Sequence, residues 1–429
     1  MPPDLGYGAA SSWRLQALQT CCFGFLFTVY GLTLWYWRRV RLTTRTLAWG
    51  AVAMAVLACG ALPANSSDVL EYIKFGRLLA LYHVSPYYHV YSEVTDQFSP
   101  YVMWDLPMPY GPVVLPVFAV AGLVSAHSVV LAIYTIKIAW LVVHLANAWL
   151  VYRIARRFTP DPEYALFLFA FNPLILMEQL GDGHNDGLLI LFGLLALAAI
   201  QRGRERLALW PALLGALVKT SGIFCLAAVV AYRIRRRGWR GLADGAVVAT
   251  AGAACIALAF PRGGALQALS NTQLEFSGDS LHTMLVDWAR AVFRALHVAS
   301  GYEQVFRLDR LIFSCLFLGV CAWRLGLIRD LASVIRETGH LLLALLLGYA
   351  ATIHPWYMAW PVPVAALTGS GPLRRLVVVA SGTALALYAF PYALVEHAVW
   401  ATLRIAVALG VPIVVRVLDP YCSRRAPTT

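Results

Sequence analysis

The chain has 429 residues, of which 60% are hydrophobic and 13% charged, and its mean hydropathy is +0.67. A soluble globular domain carries about 25% charged residues, so half the usual polar surface is missing and a separate soluble domain is excluded. The net charge of +12 would suit a nucleic-acid partner, but the arginines sit in short turns between apolar runs, as cytoplasmic loops of membrane proteins do, and no nucleic acid is expected.

The first apolar run, Leu18 to Trp37, ends in aromatics and in Arg38, Arg39 and Arg41, so it reads as a span and not as a cleaved leader. A second run covers Leu47 to Pro63. With the arginine turn between them in the cytoplasm, residues 64–110 form a long extracytoplasmic loop carrying Asp68, Glu71, Glu93, Asp96 and Asp105. That loop is too long for a simple connector and too polar to be buried, which marks it as functional by length alone. Pro112 to Val124 is short and should lie on or dip into the membrane. Val129 to Tyr152 returns to Arg153, Arg156 and Arg157, Tyr164 to Met177 crosses outward, and Leu188 to Ile200 returns to Arg202, Arg204 and Arg206.

Leu207 to Tyr232 has arginines at both ends, which a single crossing would put on opposite sides. Two half-helices meeting near Lys219-Thr220-Ser221-Gly222 resolve the conflict; one long span that violates the charge rule is the alternative. Ala243 to Phe260 goes out to a second extracytoplasmic loop at residues 261–310. Leu311 to Leu325 comes in, Leu341 to Ile353 goes out to His354, and three more crossings lead to a cytoplasmic tail with Arg424 and Arg425. The expectation is one all-α domain over residues 1–429, a polytopic membrane protein of about 12–13 membrane segments. Seven of the eight cysteines lie in or beside apolar runs and none in the long loops, so no disulfide framework is visible.

Four groups of residues stand out. Asp68 just outside the second run can serve as a general base, with Glu71 and Tyr72 on the same helix face and Lys74 and Arg77 about a turn later; Ser67 or Asp68 as a plain helix cap is the bland alternative. Gly181 to Gly187 combines glycines with Asp182, His184, Asn185 and Asp186, which suits polar substrate contacts, a divalent-metal site, or only a turn. Lysine occurs three times among 34 basic residues, at Lys74, Lys137 and Lys219, and the latter two fall inside apolar runs, where they face a cavity or snorkel outward. His354, Trp356 and Tyr357, with Trp360, form either an interfacial belt or a substrate contact.

Together these segments resemble the C-type glycosyltransferase superfamily, and within it the bacterial polyprenyl-phosphomannose-dependent alpha-mannosyltransferases of actinobacterial lipoglycan synthesis. The resemblance rests on DVLEYIKFGRLLALYHVSPYYH (Asp68 to His89), YGPVVLP (Tyr110 to Pro116), NPLILMEQLGDGHNDGLL (Asn172 to Leu189), LVKTSG (Leu217 to Gly222) and HPWYMAW (His354 to Trp360), in the family's order. It implies a polyprenyl-phosphate sugar donor, mannose as the sugar, a lipid-linked or glycan acceptor, and inverting transfer on the extracytoplasmic face of the cell membrane, with residues 64–110 as the catalytic loop. Asp68 matches the loop acid and becomes the candidate base. Glu71, Lys74, Arg77, Tyr110, Asp182, His184, Asn185, Asp186, Lys219, His354, Trp356 and Tyr357 become substrate-binding candidates. The sequence is compact, without an extended C-terminal region, and no second aspartate adjoins Asp68, whose neighbours are Ser67 and Val69, so neither a metal nor a cofactor is expected. A transporter or flippase of lipid-linked sugars is the rival class; it calls for paired halves with matching interruptions, and one clear break is found.

Overall fold

A computed structural model describes residues 13–40, 42–260, 280–297, 302–350, 352–369, 371–389, 402–403, 405–415 and 417. Parts of the expected 261–310 loop, much of the last crossing and the tail with Arg424 and Arg425 lie outside the described residues. Every regular element among the described residues is helical, and the protein is an all-α polytopic membrane protein.

In chain order, α1 (Trp13–Trp35) and α2 (Thr44–Gly60) are joined by the arginine turn. Thr43 caps α2 by accepting from the Thr46 N–H. Next come α3 (Asp68–Ala80), α4 (Leu115–Val124), α5 (Val129–Ala155) and α6 (Pro162–Ala170). Pro173–Gly181 continues α6 at a 42° bend and is a π-helix over Leu176–Gly181. It leads to α7 (Asp186–Gln201), α8 (Glu205–Ala216), α9 (Ile223–Arg237) and α10 (Trp239–Ala259). Beyond these lie α11 (Leu281–Ala295), α12 (Tyr302–Gly326), α13 (Leu331–Ala344), α14 (Val362–Leu367) and α15 (Pro372–Thr383).

Among the described residues, only some of the expected 12 or 13 membrane segments are long continuous helices. Four described helices are long and apolar enough to cross a membrane, and the bent pair over Pro162–Gly181 makes a fifth. Breaks divide the other apolar runs into shorter pieces such as Asp186–Gln201. Phe25, Trp49, Leu57, Leu258 and Leu316 point outward along α1, α2, α10 and α12, which places the apolar belt against lipid.

The conflict at Leu207 to Tyr232 is settled by a hairpin. At about 18 and 22 Å, α8 and α9 are each shorter than the roughly 30 Å hydrocarbon layer. Glu205 at the start of α8 meets Arg233 (2.9 Å) and Arg236 (3.4 Å) near the end of α9, so both ends lie on one side and Lys219 lies at the tip. Asp244 of α10 ties Arg206 (3.1 Å) and Arg233 (2.7 Å) into the same cluster. The chains cross tightly above it: a Cβ on Gly222 would stand 2.4 Å from the Gly215 carbonyl carbon and oxygen.

The first loop is also more buried than its polarity suggests. Every residue of α3 from Val69 to Leu78 is buried, because α3 packs along α4 with backbones in contact. A Cβ on Gly76 would lie 1.7 Å from the Phe118 carbonyl oxygen, and one on Gly122 would lie 2.3 Å from the Gly76 carbonyl carbon. Small residues permit such approach inside apolar surroundings. Gly76→Ala is therefore expected to lower stability by about 3 kcal/mol. Thermal unfolding in detergent followed by intrinsic fluorescence checks this; an unchanged midpoint would contradict the backbone contact.

Candidate active site

Four helix breaks meet at the loop end of the bundle and bring most of the singled-out residues together. They are the start of α3, the turn 182–186 before α7, the hairpin tip 217–222, and the turn 354–360 after α13. Each break exposes backbone polar groups that an apolar setting cannot solvate, and at the first three breaks other parts of the chain supply partners. Lys137 of α5 is fully buried and does not snorkel: its Nζ donates to the carbonyls of Ala61 and Gly181. Asp182 accepts from the Ala64 N–H (2.7 Å), the Asn65 N–H (3.0 Å) and Asn65 Nδ2 (2.8 Å). Gly183 at φ +82° lets the chain turn back at once. The Gly111 N–H donates to the Val218 carbonyl (3.0 Å) and the Val113 N–H to that of Leu217 (3.3 Å), which docks the loop's end on the hairpin tip. Only glycine fits at 111, since a Cβ would stand 1.9 Å from the Leu217 oxygen.

That junction sets Tyr110 between an acid and a cation. Its hydroxyl donates to Asp68 Oδ2 at 3.4 Å, and Lys219 Nζ lies 5.4 Å from its ring centre. Lys219 is caged by the rings of Tyr357 (5.3 Å) and Trp360 (5.9 Å) and paired with Asp186 Oδ1 at 2.8 Å. Trp360 Nε1 donates to the same oxygen at 2.5 Å. Asp186 opens α7, where the helix N-terminus favours a carboxylate. Lys219 thus faces a partner and aromatic faces, not the interface.

His184 is fully buried. Its ring stacks on Trp356 at 3.9 Å, and His354 stacks on the same indole at 4.3 Å. Its Nε2 faces Asp68 Oδ2 at 3.6 Å, and its Nδ1 lies 3.3 Å from Glu178 Oε2. Asn185 is buried with neither end of its amide hydrogen-bonded. The Asp68 side chain is 23% exposed, whereas those of His184, Asp186 and Glu178 are closed off, so Asp68 is the carboxylate of this cluster that reaches solvent. Asp182, His184 and Asp186 point three ways, and among the described residues no three His, Cys, Asp or Glu side chains are gathered as metal ligands.

Three candidates stand apart from the cluster. Glu71, Lys74 and Arg77 repeat every three residues along α3 and turn toward the loop. Glu71 accepts from the N–H groups of Met103 (3.1 Å) and Trp104 (3.2 Å) and pairs with Lys74, which donates to the Trp104 carbonyl. Arg77 donates to Tyr91 (2.7 Å), Ser125 (2.7 Å) and Asp96. Burial works against an ionised Asp96, but hydrogen bonds from Tyr82, Arg77 and Tyr91 outweigh it and hold its carboxyl down at about 2. These groups fasten the loop; they do not line the cluster.

Sequence reasoning passed over Glu178, Trp360 as a carboxylate partner, and Tyr388, whose hydroxyl donates to Glu178 Oε2 at 3.1 Å. The one signal for Glu178 was an acid closing an apolar run.

A sequence profile described as alpha-(1->6)-mannopyranosyltransferase, N-terminal domain, matches residues 6–235 of the 429. The chain belongs to this family. Alpha-(1->6)-mannopyranosyltransferase B of Corynebacterium glutamicum is 25% identical over 320 residues, covering 68% of this chain and 53% of that protein. Alpha-(1->6)-mannopyranosyltransferase A of Mycobacterium tuberculosis is 24% identical over 339 residues, covering 75% of this chain and 64% of that protein. The chain thus spans between about half and two thirds of the length of these relatives. The family's match takes in Asp68, Tyr110, His184, Asp186 and Lys219, while the turn 354–360 lies beyond it.

Removing one partner of a buried pair strands the other charge. Lys219→Met is expected to cost about 3 kcal/mol through Asp186, and adding Asp186→Asn should recover most of it. Unfolding midpoints of the two proteins check this; a single variant as stable as wild type would show that the pair is solvated.

Proposed function

We propose that the chain is a membrane mannosyltransferase. It moves mannose from a polyprenyl-phosphate donor to a lipid-linked or glycan acceptor on the extracytoplasmic face, with inversion and with Asp68 as the base. Family membership and the activity for which the relatives are named support mannosyl transfer. The observation that carries the mechanism is Tyr110, which joins a solvent-reaching carboxylate on one side to a caged lysine on the other. Orientation is supported by the basic ends of α5 and α9, Arg153, Arg156 and Arg157 with Arg233 and Arg235 to Arg237, which the positive-inside rule assigns to the cytoplasm.

In this reading Asp68 removes the acceptor hydroxyl's proton as the oxygen attacks the anomeric carbon. The bond to phosphate breaks and the phosphate leaves with the electron pair. Lys219 meets the charge that develops there; a fixed, largely buried cation stabilises the transition state more than a fully solvated one does. Asp186 and Trp360 hold the ammonium group in place beforehand. The unpartnered Asn185 amide is free to bind sugar hydroxyls.

The test uses purified protein in detergent with radiolabelled polyprenyl-phosphate mannose and a panel of lipid-linked acceptors. Wild type should transfer label, and Asp68→Asn should reduce kcat by about 10³-fold while donor affinity stays within about twofold, because a base acts in the transition state. Equal turnover by Asp68→Asn would remove it from the mechanism. Transfer only from another lipid-linked hexose would overturn mannose, and transfer from none would overturn the enzyme reading. Gly111→Ala, which pushes Tyr110 off the hairpin tip, is expected to reduce turnover about 10²-fold. Normal turnover with Gly111→Ala would show that the junction does not position the site.

A further inference from the structure

Nothing above uses Glu178, yet it is fully buried and lies on the π-helical turn Leu176–Gly181. An ionisable group at such depth is costly, and π-turns recur at functional sites because the extra residue swings a side chain out of helical register. Its surroundings fix the state of His184. The Nδ1 of His184 stands 2.9 Å from the Glu178 carbonyl oxygen and 3.3 Å from the Glu178 carboxylate. The carbonyl oxygen, the nearer of the two, can only accept, so Nδ1 carries the hydrogen. In the neutral ring the lone pair then sits on Nε2, which faces Asp68 Oδ2 at 3.6 Å and has no other partner. Trp356, stacked at 3.9 Å and 19°, prevents the ring from turning. The other charged groups nearby are engaged elsewhere: Asp182 with Asn65, and Asp186 with Lys219.

We propose that Glu178, His184 and Asp68 form a proton relay in which His184 Nε2 takes up the proton that Asp68 removes from the acceptor, with Glu178 as the positioning residue. The inference rests on the reading of Asp68 as the base. The acceptor O–H bond breaks, the new glycosidic C–O bond forms, and the C–O bond to phosphate breaks with its electron pair going to phosphate. Once protonated, Asp68 becomes a hydrogen-bond donor toward Nε2 and passes the proton on. The resulting imidazolium lies between the Glu178 carboxyl group and Asp68, which is ionised again before the product leaves; once the site empties, the proton returns through Asp68, the member of the relay that reaches solvent, to water. The arrangement parallels acid–histidine pairs in which a buried carboxylate sets the tautomer of the working imidazole.

Two measurements test it together. In protein with isotope-labelled histidine ring nitrogens and no substrate, the signal lost in His184→Gln and shifted in Asp68→Asn should report a protonated Nδ1 and a bare Nε2. In the transfer assay, Glu178→Gln and His184→Gln should each lower kcat about 10²-fold with the donor KM within about twofold, and Glu178→Asp should restore part of the loss. A protonated Nε2 would overturn the relay, and so would unchanged kcat or a raised KM with kcat intact. The spectrum needs only folded wild type and assignment variants, so it decides the point even where Glu178→Gln does not fold. A bare Nε2 without transfer from any donor would sink the mannosyltransferase reading and leave the relay geometry standing. Transfer with no response to either variant would do the reverse.

Discussion

A helix that stops inside an apolar layer leaves carbonyls and N–H groups that neither lipid nor water can satisfy, and this protein stops its helices repeatedly. At the bend the partner is local, and around the site it comes from a distant part of the chain. Asn172 Oδ1 accepts from the N–H groups of Leu174 (3.0 Å) and Ile175 (3.4 Å) at the bend. Lys137 holds Ala61 and Gly181, Asp182 holds Ala64 and Asn65, and the backbone at 111–113 holds the hairpin tip. Leaving one such group unpaired costs about 1–3 kcal/mol, so these partners are obligatory. The same geometry that satisfies them sets Asp68, Tyr110, His184 and Lys219 at one end of the bundle.

The outline of the fold was legible because hydropathy and arginine placement report it directly. Leu47 to Pro63 corresponds to Thr44–Gly60 and Val129 to Tyr152 to Val129–Ala155, within a few residues at each end. The hairpin at Lys219 could be read because arginines at both ends forbade a single crossing. The bends within the spans could not, since a break costs no residues in the hydropathy pattern and only the backbone shows where a run bends.

The site was legible by residue type and partly misread by direction. Positions 68, 71 and 72 do fall on neighbouring parts of one helix, yet Glu71 serves Met103 and Trp104 while Asp68 serves Tyr110. Spacing tells which residues share a face; it says nothing of what lies opposite. Asp182 and Asp186 show the same limit, four residues apart in one turn with separate duties. Glu178 was hidden for a different reason, because a π-turn redirects the side chain away from the face that ordinary helical periodicity assigns it.

The order in which the chain is made bears on how this site closes. Asp68, Tyr110, His184, Asp186 and Lys219 all precede α10, whereas His354, Trp356, Tyr357 and Trp360 follow α13. The acid and lysine of the central pair therefore exist, and can meet, before the indoles and phenol that wall them off have been synthesised. Trp360, which donates to the same Asp186 oxygen that Lys219 pairs with, is the last of the pair's partners to be made, so the enclosure seen in the fold is complete only once the turn at residues 354–360 is in place.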